Sequence, residues 1–458
     1  MFLYDICLKD TPFHILANKD SKQNELLKIL GIAFGIAVTI GGTIGTGILR
    51  TPGAIAAELG NPVLIMAVWV AVSIYAFLGV LCAIELGLSV PKAGSWYVYS
   101  QRAFGDYVGF LTGITTWLGT VTSLAFGAYT ICEYVVILIP GLSGFIPPMA
   151  VFILIFLTAF HLIGTKAGGK SQEVLSFIKA IGLLVFVALC FVYGKETNEP
   201  HVAEKMNFLA QGSIWIGIIA AMQGVFYTFD GWQTAAYFTE ENENVRKDLP
   251  KAMISGVVSI IVIYLLVNLA ILYVLPMEQL QGSKLAAADA MVHVFGEQSG
   301  KIITLFLLVS ILGIMNVQVI MTPRTLYSMS RDGLFFKQAR MVNSGGSPSF
   351  ALIITCVLSI ALIFVGKETS SRLLDIATFY FVFAYALGFA SLLMLRKKEP
   401  QLERPFKVPF YPFIPCLMLV LSIVFLMGAV FSDSQNSLYA VIILILTYPV
   451  YRLIKTKN

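Results

Sequence analysis

Apolar residues run through this chain in long blocks separated by short polar stretches. Twelve blocks can be read, near residues 31–59, 63–90, 107–139, 147–164, 172–194, 213–240, 250–275, 301–331, 349–365, 372–395, 410–431 and 437–454. Each is close to or above the ~20 residues that cross a bilayer as a helix. Barrel strands run to about 10 alternating residues, and these blocks do not alternate. The pattern therefore predicts an all-α integral membrane protein with about twelve transmembrane helices.

The polar stretches support that count. If the N-terminus starts in the cytoplasm and the sides alternate, 24 of the 31 Lys and Arg fall in inside segments. A wrong helix count would scramble this bias. Both termini are thus expected in the cytoplasm. Residues 1–30 form a polar tail without the apolar core of a secretory signal. The segment "SKLAAADAMVHVFG" (283–296) falls outside, between spans 7 and 8, with the periodicity of a short surface helix over the outer mouth.

Composition agrees. The chain is 57% hydrophobic and 12% charged, about half the charged fraction of a soluble domain. The net charge of +5 is explained by inside loops facing anionic lipid, so no nucleic-acid partner is expected. The six cysteines form no C-x-x-C pair, and five lie in or beside apolar spans as small packing residues. Neither a disulfide framework nor a metal site is expected.

Two spans have unusual midpoints. Span 1 carries "GGTIGTGILRTPG" (41–53), and span 6 carries Asp230-Gly231 within "FYTFDGWQTAAYFTE". Glycine is a poor helix former, and unwound backbone is tolerated at membrane depth only where it lines a cavity. The two spans lie five helices apart, an odd number, so each opens one half of an inverted repeat. Interrupted helices at matching positions point to a transporter site near the midplane. The expected units are the tail 1–30, a first five-helix repeat 31–194, an inverted second repeat 213–395, and two terminal helices within 408–454.

A break at Gly45-Thr46-Gly47 would start a new helix there, offering free N–H groups and a positive dipole end to a carboxylate. The competing reading makes Gly41 and Gly45 a close helix-packing face. Lys179 lies about seven residues into span 5. It either snorkels to the cytoplasmic edge or touches carbonyls freed by the break in span 1. Asp230 either pairs with a substrate ammonium or caps the following half-helix. Glu85 reads as an inner-gate or structural partner, or as a solvated helix end. Glu133 and His161 read as structural. "GTKAGGKS" (164–171) fits a phosphate-loop pattern, but it sits in a short inside loop after a membrane helix and lacks the required strand context.

The motifs "GTIGTGILRTPG", "IELGLSVPKAGSWYVYSQRAFG", "FYTFDGWQTAAYFTEENENVRKDLPKAM", "TPRTLYSMSRDGLF" and "LERPFKVPFYPFIP" resemble those of the amino acid–polyamine–organocation permeases. The resemblance runs from about residue 30 to 415 and is strongest to L-type amino acid transporters and their bacterial relatives. It implies the leucine-transporter-like fold, with two inverted five-helix repeats plus two helices. It implies that Gly45, Thr46 and Gly47, flanked by Thr43 and Ile44, hold a substrate carboxylate on backbone amides. Tyr227, Thr228 and Asp230, with Gly231, would form the turn whose carbonyls receive the substrate ammonium. Tyr227 would be a gating aromatic, and Trp232 completes the "GW" pair. Lys179 would occupy the place of a sodium ion.

Arg50 departs from the family, which usually has an apolar residue there. It is expected either to line the outer vestibule and disfavour cationic substrates, or to pair with Glu58 or another acid or reach lipid headgroups. The resemblance implies sodium-independent exchange of amino acids, neutral ones by inclination, with pockets on helices 3, 6, 8 and 10. Proton-coupled symport and a non-transporting sensor remain alternatives. No reaction and no cofactor are implied. Animal L-type exchangers bind a partner through a cysteine after helix 3. The loop "LIPGLSGFIPP" (138–148) has none, so no disulfide-linked heavy subunit is expected, and the resemblance implies a bacterial-type inner-membrane protein.

Overall fold

The structure is a computed structural model that describes residues 25–195, 214–364, 367–432 and 434–457. Residues 1–24 of the expected tail lie outside the described residues. The first membrane segment is in two halves, α1 (Ile32–Thr43) and α2 (Gly47–Leu59). Next come α3 (Pro62–Ser89), α4 (Trp96–Phe104), α5 (Asp106–Leu138), α6 (Ile146–Ile163) and α7 (Thr165–Tyr193). The second interrupted segment is α8 (Ile214–Phe229), followed by a turn and a single 3-10 stretch at Thr234–Phe238. Then follow α9 (Val245–Val274), α10 (Met277–Gly282), α11 (Ala286–Phe295), α12 (Gln298–Arg331), α13 (Ser349–Ile363), α14 (Lys367–Lys398), α15 (Phe413–Ser432) and α16 (Ser434–Lys457).

Ten of these segments, with α1 and α2 counted as one, are long and apolar enough to cross a membrane. The other two expected spans are α8 with its break, 16 residues long before the turn, and α13, 15 residues long. Large apolar side chains face outward on α6, α7 and α15, among them Phe152, Phe177 and Val424. A soluble protein rarely exposes such a belt; here lipid is the solvent that covers it. The start of α3 shows how the sequence sets local geometry: Pro62 opens the helix, and the Asn61 side chain accepts from Val63 and Leu64 N–H.

Several boundaries differ from the sequence reading for one reason. Hydropathy locates the apolar run, whereas the helix continues past the bilayer into polar residues. So α7 begins at Thr165 rather than 172, and α9 at Val245 rather than 250. The phosphate-loop-like "GTKAGGKS" is thus mostly the first turns of α7, not a loop. The short helix over 283–296 is present as α11, but one face is buried through Ala286, Ala287, Ala290 and Met291. The helix α4 was not expected. It is nine residues long and packs Trp96, Tyr97 and Tyr99 into the interior.

Candidate functional site

The end of α1 answers the accounting question that any broken helix poses, namely where its freed carbonyls go. Ile44 is extended (φ −70°, ψ 107°) and closes α1 by donating its N–H to Ile40. Lys179 Nζ donates to Gly41 O at 3.0 Å and to Ile44 O at 2.8 Å. Tyr264 Oη donates to Thr43 O at 2.9 Å. The lysine is fully buried and rests on Gly313 of α12, where a side chain would collide with it. It does not snorkel. Helical bonding resumes only when Leu49 and Arg50 donate to Thr46 O, so the amides of Gly45, Thr46 and Gly47 precede the first bonds of α2. The positive end of the α2 dipole lies at these amides.

The second break lies against the first. Gly231 has φ +107°, a conformation that glycine adopts without steric cost. A Cβ there would strike the Gly42 carbonyl and come within 2.9 Å of Thr43 N. Tyr264 ties the breaks together, because its hydroxyl also reaches Thr228 O at 3.1 Å. The Thr228 hydroxyl meets Thr51 of α2 at 3.0 Å, and Gly47 packs against the same threonine. The Asp230 carboxylate accepts from the Tyr385 hydroxyl, which in turn accepts from Gln233 Nε2 at 2.7 Å. Asp230 is therefore held from α14 and by the neighbouring Gly231 N–H.

A cavity opens beside the second break. Tyr227, Asp230 and Trp232 line it together with Tyr75 of α3 and Phe381 and Tyr385 of α14. Its lining comes from spans 2, 6 and 10; spans 3 and 8, expected to contribute pockets, supply none of it. Span 8 instead packs Ile314 directly onto Gly45.

The remaining predicted residues divide. Trp232 is buried, its ring 5.4 Å from Tyr385 and 6.1 Å from Trp96, and it presses on Gly79. It packs the wall behind Asp230. Arg50 stands apart, exposed on α2, and its guanidinium reaches the Tyr134 hydroxyl of α5. Glu85 is buried, not solvated. Arg396 binds it through two bonds of 2.7 and 2.6 Å, and Val408 N–H donates to it at 2.6 Å.

On the side where α1 begins, the two interrupted segments meet. Ile29 and Leu30 N–H donate to Glu241 O at 3.1 and 3.0 Å, and Phe34 meets Phe238 edge-on at 4.9 Å. Behind them the buried Arg324 binds Glu241 at 2.7 and 2.8 Å.

Tyr264, Tyr385 and Gln233 were not found from the sequence. A hydroxyl or amide in mid-span needs an acceptor or donor there, and that was the available signal.

Residues 30–448 match the family model described as amino acid permease. Over 438 residues the chain is 28% identical to the serine/threonine exchanger SteT of Bacillus subtilis (strain 168), covering 94% of this chain and 98% of that protein. It is 28% identical to the b(0,+)-type amino acid transporter 1 of Mus musculus, covering 93% and 87%. It is 27% identical to the Asc-type amino acid transporter 1 of Homo sapiens, covering 94% and 83%.

Proposed function

Taking as premise that the chain belongs to the amino acid permease family, we propose that it exchanges amino acids across a membrane by alternating access, without sodium. The observation that carries this reading is the convergence of the two breaks. The free amides of Gly45 to Gly47 at the start of α2 face the end of α8 across the Tyr264 bridge. A zwitterion fits such a pair, with its carboxylate on the amides and its ammonium on the backbone around Tyr227, Thr228 and Asp230. Thr43, Ile44 and Gly231 shape the backbone between them. The substrate side chain extends into the cavity beside Tyr227.

Lys179 acts as a fixed cation. Its ammonium occupies carbonyls that would otherwise be free to coordinate a metal cation, which is why sodium is not required. A neutral amino acid is the favoured substrate, and the serine/threonine exchanger named above is the relative whose activity this reading follows. The chain divides into the tail 1–30, the inverted halves 31–194 and 213–395, and the terminal pair within 408–454. Both termini face the cytoplasm of a bacterial-type inner membrane, and the protein works without a disulfide-linked subunit. Transport involves no covalent chemistry and no cofactor.

The test is radiolabelled uptake into proteoliposomes, either empty or loaded with amino acid, with and without an inward proton gradient. Exchange predicts uptake only into loaded vesicles and indifference to the gradient. Gradient-driven uptake into empty vesicles would replace it with proton symport, and the absence of flux for all twenty amino acids would remove transport altogether.

A further inference from the structure

One face of α7 carries buried polar groups that, apart from Lys179, the site just described does not use. Thr165, Gly168, Gln172, Ser176 and Lys179 follow at three- and four-residue spacing, and all are buried. Gln172 Nε2 donates to Ser176 Oγ at 2.8 Å, and Ser176 Oγ donates to the Ala37 carbonyl of α1 at 2.6 Å. In the other direction, Asn316 Nδ2 of α12 donates to Gln172 Oε1 at 2.8 Å, and Asn316 Oδ1 faces His161 Nε2 of α6 at 2.9 Å. His161, Gln172, Ser176 and Asn316 are each 3% exposed or less.

This chain of bonds has a direction. An amide donates at one end and accepts at the other. Because Asn316 Nδ2 is committed to Gln172, its oxygen must accept, and His161 must carry its proton on Nε2. Each link then donates toward α1. The chain ends on Ala37, one helical turn before Gly41, whose carbonyl takes Lys179. Gly41 lacks a side chain where Gln172 and Ser176 fill the space beside it. Four elements, α6, α12, α7 and α1, are thereby joined through buried polar contacts. Such contacts are costly to leave half-made.

We propose that this chain is the latch that holds the inner half of the first interrupted helix in its closed position, with Asn316 and Ser176 as positioning residues for transport. The proposal rests on the exchange reading above. For substrate to leave on the side of the chain's N-terminus, α1 parts from α7, and the Ser176 to Ala37 bond breaks. The bonds linking His161, Asn316 and Gln172 lie outside α1; they hold the Ser176 hydroxyl toward Ala37 and act only through that bond. Weakening the latch favours the conformation open to the N-terminal side.

The test measures exchange half-saturation from each face of orientation-sorted proteoliposomes, for the parent chain, Ser176→Ala, Asn316→Leu and the double variant. Ser391→Ala is the control, a buried serine whose bond stays within α14. Loss of one buried hydrogen bond predicts that the ratio of the two half-saturation constants moves about two- to tenfold in favour of the N-terminal face. The double variant moves it no further than the larger single change, because both break one chain. The control leaves the ratio alone. An unchanged ratio in Ser176→Ala overturns the latch, and so do additive shifts in the double variant. If the parent chain itself does not exchange, the exchange reading fails, and the latch built on it fails with it.

Discussion

Replacing Tyr264 by Phe isolates the bond that joins the two breaks. The ring is fully buried, with Trp69 at 5.8 Å and Phe229 at 5.0 Å packed against it edge-on. Phe therefore fills the same space, and only the hydroxyl is lost. That hydroxyl has one hydrogen, shared between Thr43 O at 2.9 Å and Thr228 O at 3.1 Å. Its removal leaves buried carbonyls short of a donor, at a cost of about 1–3 kcal/mol. If the bridge orders the site, this cost falls on the substrate-bound form as well as on the fold. Half-saturation for exchange then rises, with a ceiling between about 5- and 150-fold for that range. Tyr380→Phe is the matched comparison, since its hydroxyl meets Ala440 O at 3.3 Å between α14 and α16. It should lower thermal stability and leave half-saturation unchanged. Exchange kinetics and thermal unfolding of both variants provide the assay. If Tyr264→Phe kept the parent's half-saturation and lost only as much stability as Tyr380→Phe, the bridge would be mere packing.

Three further substitutions probe the surroundings. Lys179→Met removes the donor to Gly41 O and Ile44 O. Relief of charge burial offsets part of that loss, so thermal stability should move little while exchange falls by at least about tenfold. Gly231→Ala places a Cβ against the Gly42 carbonyl at φ +107°; it should cost about 1–3 kcal/mol in strain and abolish exchange, whereas wild-type exchange would show that the breaks do not need to touch. Glu85→Gln breaks a buried ion pair with Arg396 and should lower stability by about 3–5 kcal/mol, as read by thermal unfolding in detergent; a stability loss below about 1 kcal/mol would mark the pair as solvent-screened.

The large-scale order was legible because membrane folding writes it in hydropathy. The interrupted segments stood out because mid-span glycines in one span and Asp230-Gly231 in the other fall at matching places five helices apart. Lys179 could be read as far as two alternatives, and its bonds to Gly41 and Ile44 select one. Tyr264 and Tyr385 escaped because an aromatic ring in an apolar run is ordinary, and only tertiary packing gives its hydroxyl a partner. Gln172 and Ser176 share the spacing of Lys179 on one face of α7, but their partners on α12 and α1 lie 144 and 139 residues away along the chain. No local pattern connects such positions. Arg50 was expected in the vestibule, against an acid or at the lipid headgroups; its guanidinium reaches Tyr134, brought there by the packing of α5.

The central claim is that one amino acid binds by both of its charged backbone groups between the two breaks. It is tested most directly by competition in the exchange assay, using the best substrate, its methyl ester and its N-acetyl derivative. The account predicts that the parent amino acid competes and that both blocked forms fail, because the Gly45–Gly47 amides require a carboxylate and the Tyr227–Asp230 turn requires an ammonium. Competition by either blocked form at the parent's concentration would contradict it.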